Sequence, residues 1–311
     1  MKNLLVFKLL FLVSFVLLRS EGLWAKEDVS KEIAPGIYLR PGIQQDVSIQ
    51  NQGHIANIGF IVGDERVAVI DTGSSYQEGL ALRKMIREIT SLPIDYVILT
   101  HMHPDHVLGA SAFSQDGPVY VGHVKLADAL VRRQSFYLAR AKDVLGSLAE
   151  GTRVLLPSEA VDVNRQLELD LGGRILELQA YPTAHTNNDL SVYDRKTGTL
   201  WLSDLLFVER TPVMDGSLLG WLKVMSGLKE LEPERVVPGH GPVVTDWKKA
   251  LADQRRYFEV LATGIREIIA GNGTIKQAVA VVGQDEKGNW LLFDVYHGRN
   301  ITASFVELEW E

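Results

Sequence analysis

No cysteine occurs anywhere in the 311 residues. A disulfide framework, a thiolate metal ligand and a lipid-modified cysteine are therefore all excluded. Positive charge is in deficit: 32 Lys and Arg stand against 39 Asp and Glu, for a net charge of −7 at neutral pH. Nucleic-acid phosphate is bound by a basic stripe, so an acidic body with no such stripe argues against a nucleic-acid partner. Long apolar runs are missing beyond the first two dozen residues, where a membrane-spanning helix would need about 20 in succession. Low-complexity linkers and internal repeats are missing too, which makes one domain the economical reading. Histidine is scarce, with eight residues in the whole chain, so any place where histidines gather carries information.

What is present begins with Lys2 and Lys8, then an apolar stretch over 9–18, and Ala25 before the polar Lys26-Glu27-Asp28. Charged start, short apolar centre and a small residue at the end make the pattern of a secretory signal peptide. Residues 1–25 are expected to direct export and be removed, leaving no stable membrane anchor. Residues 26–311 are then one α/β domain. The first 25 residues carry three basic and one acidic side chains, so the remainder is more acidic than the whole.

Apolar runs at 36–40, 58–62, 66–70, 94–100 and 119–122 read as strands. Helical spacing at Leu80, Met85 and Ile89 separates two of them, and Pro93 stops it. Residues 124–148 turn helical and read as a crossover helix on base rates, with a lid over a site as the other reading. The second half continues with strands at 161–169, 174–181, 190–193 and 200–203, and Lys196-Thr197-Gly198 reads as a hairpin turn. Helical runs follow at 218–231 and 248–270. The tail over 290–310 reads as partly extended and aromatic.

Three of the eight histidines fall in His101-Met102-His103-Pro104-Asp105-His106, directly after the strand at 94–100. Imidazole and carboxylate are the usual ligands of zinc and other borderline divalent metals. Residues two apart on an extended segment point the same way, so His101 and His103 can share one ion. Pro104 suits the first turn of a following helix, from whose start Asp105 and His106 would project. One segment thus supplies ligands to two adjacent metals. Three further residues sit at strand ends: His185, Asp204 and His240, the last in Pro238-Gly239-His240-Gly241. Alone, each histidine is more often a hydrogen-bonded core residue. Together they are the ligand clusters that a site at one rim of a sheet requires.

His-x-His-x-Asp-His followed by single His, Asp and His in this order resembles the metallo-β-lactamase superfamily. The likeness spans residues 35–270 and includes the Asp71-Thr72-Gly73 turn. It implies an αββα four-layer sandwich, with two mixed β-sheets flanked by helices and two Zn(2+) at their shared edge. Iron or manganese is compatible with the same donors. Carried over by residue, one ion takes His101, His103 and His185, the other takes Asp105, His106 and His240, and Asp204 bridges. Asp71 matches an aspartate that orients a ligand histidine. Aspartate at 204 and the lack of cysteine depart from lactamases with a cysteine ligand, and look more like the glyoxalase II, lactonase and related hydrolase branches.

The segments 56–62 and 299–303 and the ending Glu307-Leu308-Glu309-Trp310-Glu311 are similar to a narrower group, the exported quinoprotein relay system zinc metallohydrolases (SoxH-like). That likeness implies a periplasmic setting and a quinoprotein dehydrogenase as partner more than it implies a substrate. The chemistry implied is hydrolysis of a small-molecule ester, thioester, lactone or amide by a metal-bound hydroxide, since two divalent ions lower the pKa of a shared water toward ~7. Asp105 would stand behind that water as catalytic carboxylate. Two other readings stand beside it: a mono-iron enzyme of the persulfide dioxygenase type, and a metal-bearing accessory protein of a quinoprotein dehydrogenase. His123 reads as structural rather than substrate-binding, and His54 and His297 as surface residues or supports of the ligands. Tyr296, Arg299 and Asn300 are pocket candidates on the narrower resemblance alone.

Overall fold

The computed structural model describes residues 31–311. The expected signal segment 1–25 lies outside the described residues. Seven strands lie side by side in chain order: β1 (Lys31–Ala34), β2 (Ile37–Arg40), β3 (Ile58–Val62), β4 (Val67–Ile70), β5 (Ile94–Leu99), β6 (Val119–His123) and β7 (Glu159–Val161). Pairing is antiparallel from β1 to β4 and parallel from β4 to β7. Parallel neighbours need crossover segments. These are α1 (Tyr76–Ile89), then α2 (Pro104–Val107) with a 3-10 stretch over Ala110–Asp116, then α3 (Leu126–Leu145).

The second sheet runs β12-β11-β10-β9-β8, built from β8 (Leu167–Asp170), β9 (Ile175–Ala180), β10 (Leu190–Asp194), β11 (Thr199–Phe207) and β12 (Arg235–His240). Only β11 and β12 pair in parallel, with α4 (Leu218–Leu228) as their crossover. Three helices complete the described chain: α5 (Trp247–Ala270), α6 (Ile275–Val281) and α7 (Phe293–Leu308). Among the described residues no helix is long and apolar enough to cross a membrane.

Alternation along each strand produces the layers. Val67 and Val69 of β4 pack with Leu82 and Ile86 of α1, while Ala68 and Ile70 face the other way. There they meet Leu176, Leu178, Val192 and Trp201 of the second sheet, as the two-residue period of a pleated strand dictates. The outer face of the second sheet, with Leu200 and Leu202, is covered by Trp221 of α4 and by Tyr257, Phe258 and Leu261 of α5. The αββα sandwich with two mixed sheets is therefore present. One ion pair spans strand ends within this core: Arg174 donates from Nε and Nη2 to Asp194 at 2.8 Å each, and from Nη1 to the carbonyls of Pro35 and Val62 in the first sheet.

Two expectations fail. The segment 161–169 is not one strand. The chain turns at Asp162, whose carbonyl accepts from Arg165 N at 3.1 Å, so β7 closes one sheet and β8 opens the other. The tail over 290–310 is helical rather than extended. Phe293, Tyr296, His297, Asn300, Ile301, Ser304, Phe305 and Leu308 of α7 are buried, a three-and-four spacing that places one stripe against α5 and α6. The aromatic and β-branched residues that read as strand formers are that stripe. The hairpin turn at Lys196-Thr197-Gly198 is present, with Asp194 paired to Thr199 and Gly198 at φ 64.

Candidate metal centre

All the candidate ligands converge at the carboxyl ends of β5, β9, β11 and β12. The chain bends at His101 and Met102 as it leaves β5, and His103 is extended at the N-cap of α2 with φ −66 and ψ 146, with Pro104 in the first turn. His185 follows β9. Asp204 lies inside β11 rather than after it, at a register irregularity between Ser203 and Phe207. A bulge of this kind re-aims a side chain, and Ser203 there has a left-handed φ of 48.

Two groups of ligand atoms result. In the first, His103 Nδ1 lies 3.2 Å from His101 Nε2 and 2.9 Å from His185 Nε2. Asp204 Oδ2 lies 3.2 Å from His185 Nε2 and 3.6 Å from His101 Nε2. In the second, His106 Nε2 lies 3.2 Å from Asp204 Oδ1 and 3.7 Å from Asp105 Oδ2. His240 Nε2 lies 3.3 Å from Asp105 Oδ2 and 3.6 Å from Asp204 Oδ1. Ligands about 2.0–2.1 Å from a tetrahedral zinc stand roughly 3.3 Å from one another, and the separations here bracket that value. His106 Nε2 and Asp204 Oδ1 are buried without any hydrogen-bond partner. Buried polar atoms are rarely left so, and the two orphans lie together among the donors of the second group. The donor set fits a pair of divalent ions with the Asp204 carboxylate between them.

The other ring nitrogens are held in place. His106 Nδ1 donates to Asp71 Oδ2 at 2.8 Å, His185 Nδ1 to the Val213 carbonyl at 2.7 Å, His240 Nδ1 to the Ile55 carbonyl at 2.8 Å, and His103 Nε2 to Asp215 Oδ2 at 3.0 Å. These bonds select the tautomer and aim each lone pair. His103 therefore presents Nδ1, and His106, His185 and His240 present Nε2. Asp71 has a left-handed φ of 56, a conformation that aspartate tolerates better than most residues. Its carboxylate also accepts from Thr100 N at 2.9 Å and Thr100 Oγ1 at 2.8 Å, which keeps it turned toward His106.

Charge follows from position. Burial and the neighbouring His106 push the His101 imidazole well below its ordinary range, so its lone pair is free. Burial acts in the same sense on His103 and lowers it. Burial alone would lower His106, but Asp204, Asp71 and Asp105 outweigh it and hold the ring well above its usual value. Burial would raise the Asp204 and Asp105 carboxyls, yet the imidazoles facing them prevail and both stay ionised.

A cavity of about 220 Å³ opens over the ligands and is lined by His103, Asp105, Asp204 and His240. Tyr296 lines it as well, accepting from Arg210 Nη2 at 3.1 Å and donating to Asp46 Oδ1 at 3.0 Å. Arg299 lies over the Tyr296 ring at 5.7 Å. Asn300 takes a different role from that expected: it is buried, donating to the Pro212 carbonyl and accepting from Met214 N. His123 is structural, accepting from Lys125 N at 2.9 Å. His54 and His297 are buried rather than on the surface, against Glu78 and Tyr257 respectively.

Sequence reasoning missed Arg210 and Asp215, both of which meet the site. Nothing in the spacing of Arg210 or Asp215 relates them to the histidines. The segment 124–148, read as a crossover helix with a lid as the other reading, is a crossover whose one face lines the cavity.

The metallo-β-lactamase superfamily model matches residues 52–240. The chain belongs to the metallo-β-lactamase superfamily, whose metallo-hydrolase fold and metal cradle it carries. It is 26% identical over 205 residues to the Caenorhabditis elegans protein named β-lactamase-like protein 2 homolog, an overlap of 65% of this chain and 60% of that relative's length. A metallo-β-lactamase from Pontibacter korlensis superposes with a TM-score of 0.60 at 18% identity, covering 74% of this chain and 98% of that one. The sec-alkylsulfatase Pisa1 from Pseudomonas sp. superposes with a TM-score of 0.69 at 17% identity, covering 89% of this chain and 49% of that one. These two likenesses are likenesses of fold.

Proposed function

We propose that the protein is a dinuclear metal hydrolase, with zinc as the resident metal, acting on an ester, thioester, lactone or amide of a small molecule. The observation that carries this reading is the position of Asp204. Its two carboxylate oxygens face different ligand groups, each 3.2 Å from an imidazole nitrogen. His101, His103 and His185 would hold one ion, and Asp105, His106 and His240 the other, with Asp204 between. His240 stands beside Asp105 rather than apart from the cluster, which favours two ions over the single iron of a dioxygenase.

When bound, the ions supply Lewis acidity and water activated at neutral pH. Asp105 turns Oδ2 toward His106 and His240, which leaves Oδ1 to take a proton from water in the cavity. The facing imidazoles make that carboxylate a weak base. Arg210 is 2% exposed beside His240, fixed there by its bonds to the Gln45 carbonyl and the Tyr296 hydroxyl, while the Ile55 carbonyl holds the His240 ring. The cavity walls exclude bulk water from one side of the cluster, which strengthens every charge interaction within it.

Export to the periplasm through residues 1–25 and a place beside a quinoprotein dehydrogenase belong to the same reading. They are supported by the signal-like pattern and by the narrower resemblance respectively. The deciding experiment is elemental analysis of protein purified without added metal. About two zinc per chain are expected, with both lost in His103→Ala and in Asp204→Ala. One iron per chain, or unchanged metal in either variant, overturns the assignment.

A further inference from the structure

The cavity over the metal ligands has two unlike sides. One is the metal cradle. The other is the inner face of α3, where Tyr137, Ala141, Val144 and Leu145 line the same cavity together with Arg140. Residues 137, 140, 141 and 144 recur at three and four positions, so they form one continuous strip of the helix. Its first part, Leu126, Ala129 and Leu130, is buried against the first sheet, and α3 is thereby anchored as a rigid wall. Tyr137, Ala141 and Leu145 are nearly inaccessible to solvent, and together with Val144 they present carbon to the cavity over the ligand cluster.

The charges around that space are also uneven. Arg140 makes no ion pair among the described residues and stands exposed at the cavity. Arg210, deep in the opposite wall, bonds to the Gln45 carbonyl and the Tyr296 hydroxyl but to no carboxylate. A buried guanidinium without a counter-charge is costly. Three carboxylates line the same cavity, Asp105 and Asp204 within the ligand cluster and Asp46 tied to Arg210 through the Tyr296 hydroxyl, which leaves Arg140 as the guanidinium at the rim without a carboxylate partner.

We propose that α3 is the substrate-recognition wall, and that the substrate is an amphipathic anion: an apolar alkyl or aryl body seated on α3, carrying a carboxylate or sulfonate that meets Arg140. This rests on the metal-hydrolase reading of the same cavity and names the class of molecule that enters it.

The test uses the full chain and two probe series, linear carboxylates from butanoate to octanoate and primary alcohols of matched length, with dissociation constants from calorimetry. Metal content is measured on the same sample, and the series is repeated after chelation. Each added methylene should tighten binding by about two- to fourfold until the cavity is filled, and the carboxylates should bind more tightly than the alcohols. Arg140→Gln should remove about two- to fivefold of that preference while keeping the dependence on chain length. Val144→Asp should flatten the chain-length dependence with circular dichroism and metal content unchanged. Affinity independent of chain length in the unaltered protein, or a preference for carboxylate untouched in Arg140→Gln, overturns the proposal. The α3 wall needs no metal, so a chain-length dependence that survives chelation supports it. A preparation that never contains metal overturns the hydrolase reading separately.

Discussion

Gly239 lies against Asp204 so closely that a Cβ on it would fall 1.7 Å from Asp204 Oδ1 and 2.8 Å from Asp204 N. Its φ is not positive, so the need for glycine here is one of contact and not of backbone conformation. The parallel pairing of β11 with β12 brings the bulged Asp204 and the turn before His240 into one place. Gly239→Ala must push the carboxylate aside or part the two strands. Metal content should fall below two per chain, with affinity lowered at least about tenfold, while far-ultraviolet circular dichroism stays the same. Two tightly held metals in this variant would overturn the proposed bridging role of Asp204.

Asp215 reaches the first ligand group through His103. Its carboxylate accepts a hydrogen bond from Nε2–H at 3.0 Å and so obliges Nδ1 to face the ligand group. Asp215→Ala frees the ring to turn, and zinc affinity should drop by about 10- to 100-fold. Asp215→Asn, which keeps an acceptor oxygen, should fall between. Competition with a chromophoric chelator measures both, and equal affinity in all three proteins would show that the contact does not orient His103.

The metal-free protein should lose stability as pH rises above neutral. Burial would lower His106, but Asp204, Asp71 and Asp105 raise it well above its ordinary value. The folded state then holds a proton that the unfolded chain releases near ~6.5. That contribution is complete below ~6.5 and disappears as pH climbs through the raised value. Urea midpoints in chelator should therefore decline as pH rises above about 6.5. Zinc affinity should move the opposite way, rising over the same window, because the ion must displace that proton. A flat urea midpoint would mean that His106 is neutral in the metal-free fold.

Arg174 is 2% exposed, and its side-chain carboxylate partner is Asp194. Asp194→Ala leaves a buried guanidinium uncompensated and should cost about 3–5 kcal/mol in urea unfolding. Replacing both residues by apolar ones of similar volume should cost much less. Equal losses in the single and double variants would mean that the bonds of Arg174 to Pro35 and Val62, rather than the ion pair, hold this corner.

Much of the architecture was legible in local pattern. The strands from β2 to β6 stand out because their apolar residues come in unbroken runs, and α1 because Pro93 ends its helical spacing. The tail misled because a stripe of Phe293, Tyr296, Ile301 and Phe305 on a helix carries the same residue types that favour strands. The run at 161–169 misled because apolar residues on both sides of Asp162 hide a turn between two sheets. At the site, the cluster in 101–106 was legible since donors crowded into one strand-to-helix turn opened by Pro104 stay together by chain connectivity alone. Arg210 and Asp215 were not, because their partners Gln45 and His103 lie 165 and 112 residues away.

The chain by itself determined which residues gather as ligands and in what order, because donor type, strand-end position and two-residue spacing are local properties. Tertiary structure alone decided how those donors divide. The bulge at Ser203 splits Asp204 between two groups, Asp215 turns His103 onto Nδ1, Gly239 leaves the gap that Asp204 fills, and α3 closes the cavity with carbon. Each of these depends on a contact between segments far apart in sequence. Only the packing of the two sheets and their helices brings such segments to within a few ångströms, and no periodicity in the chain encodes that approach.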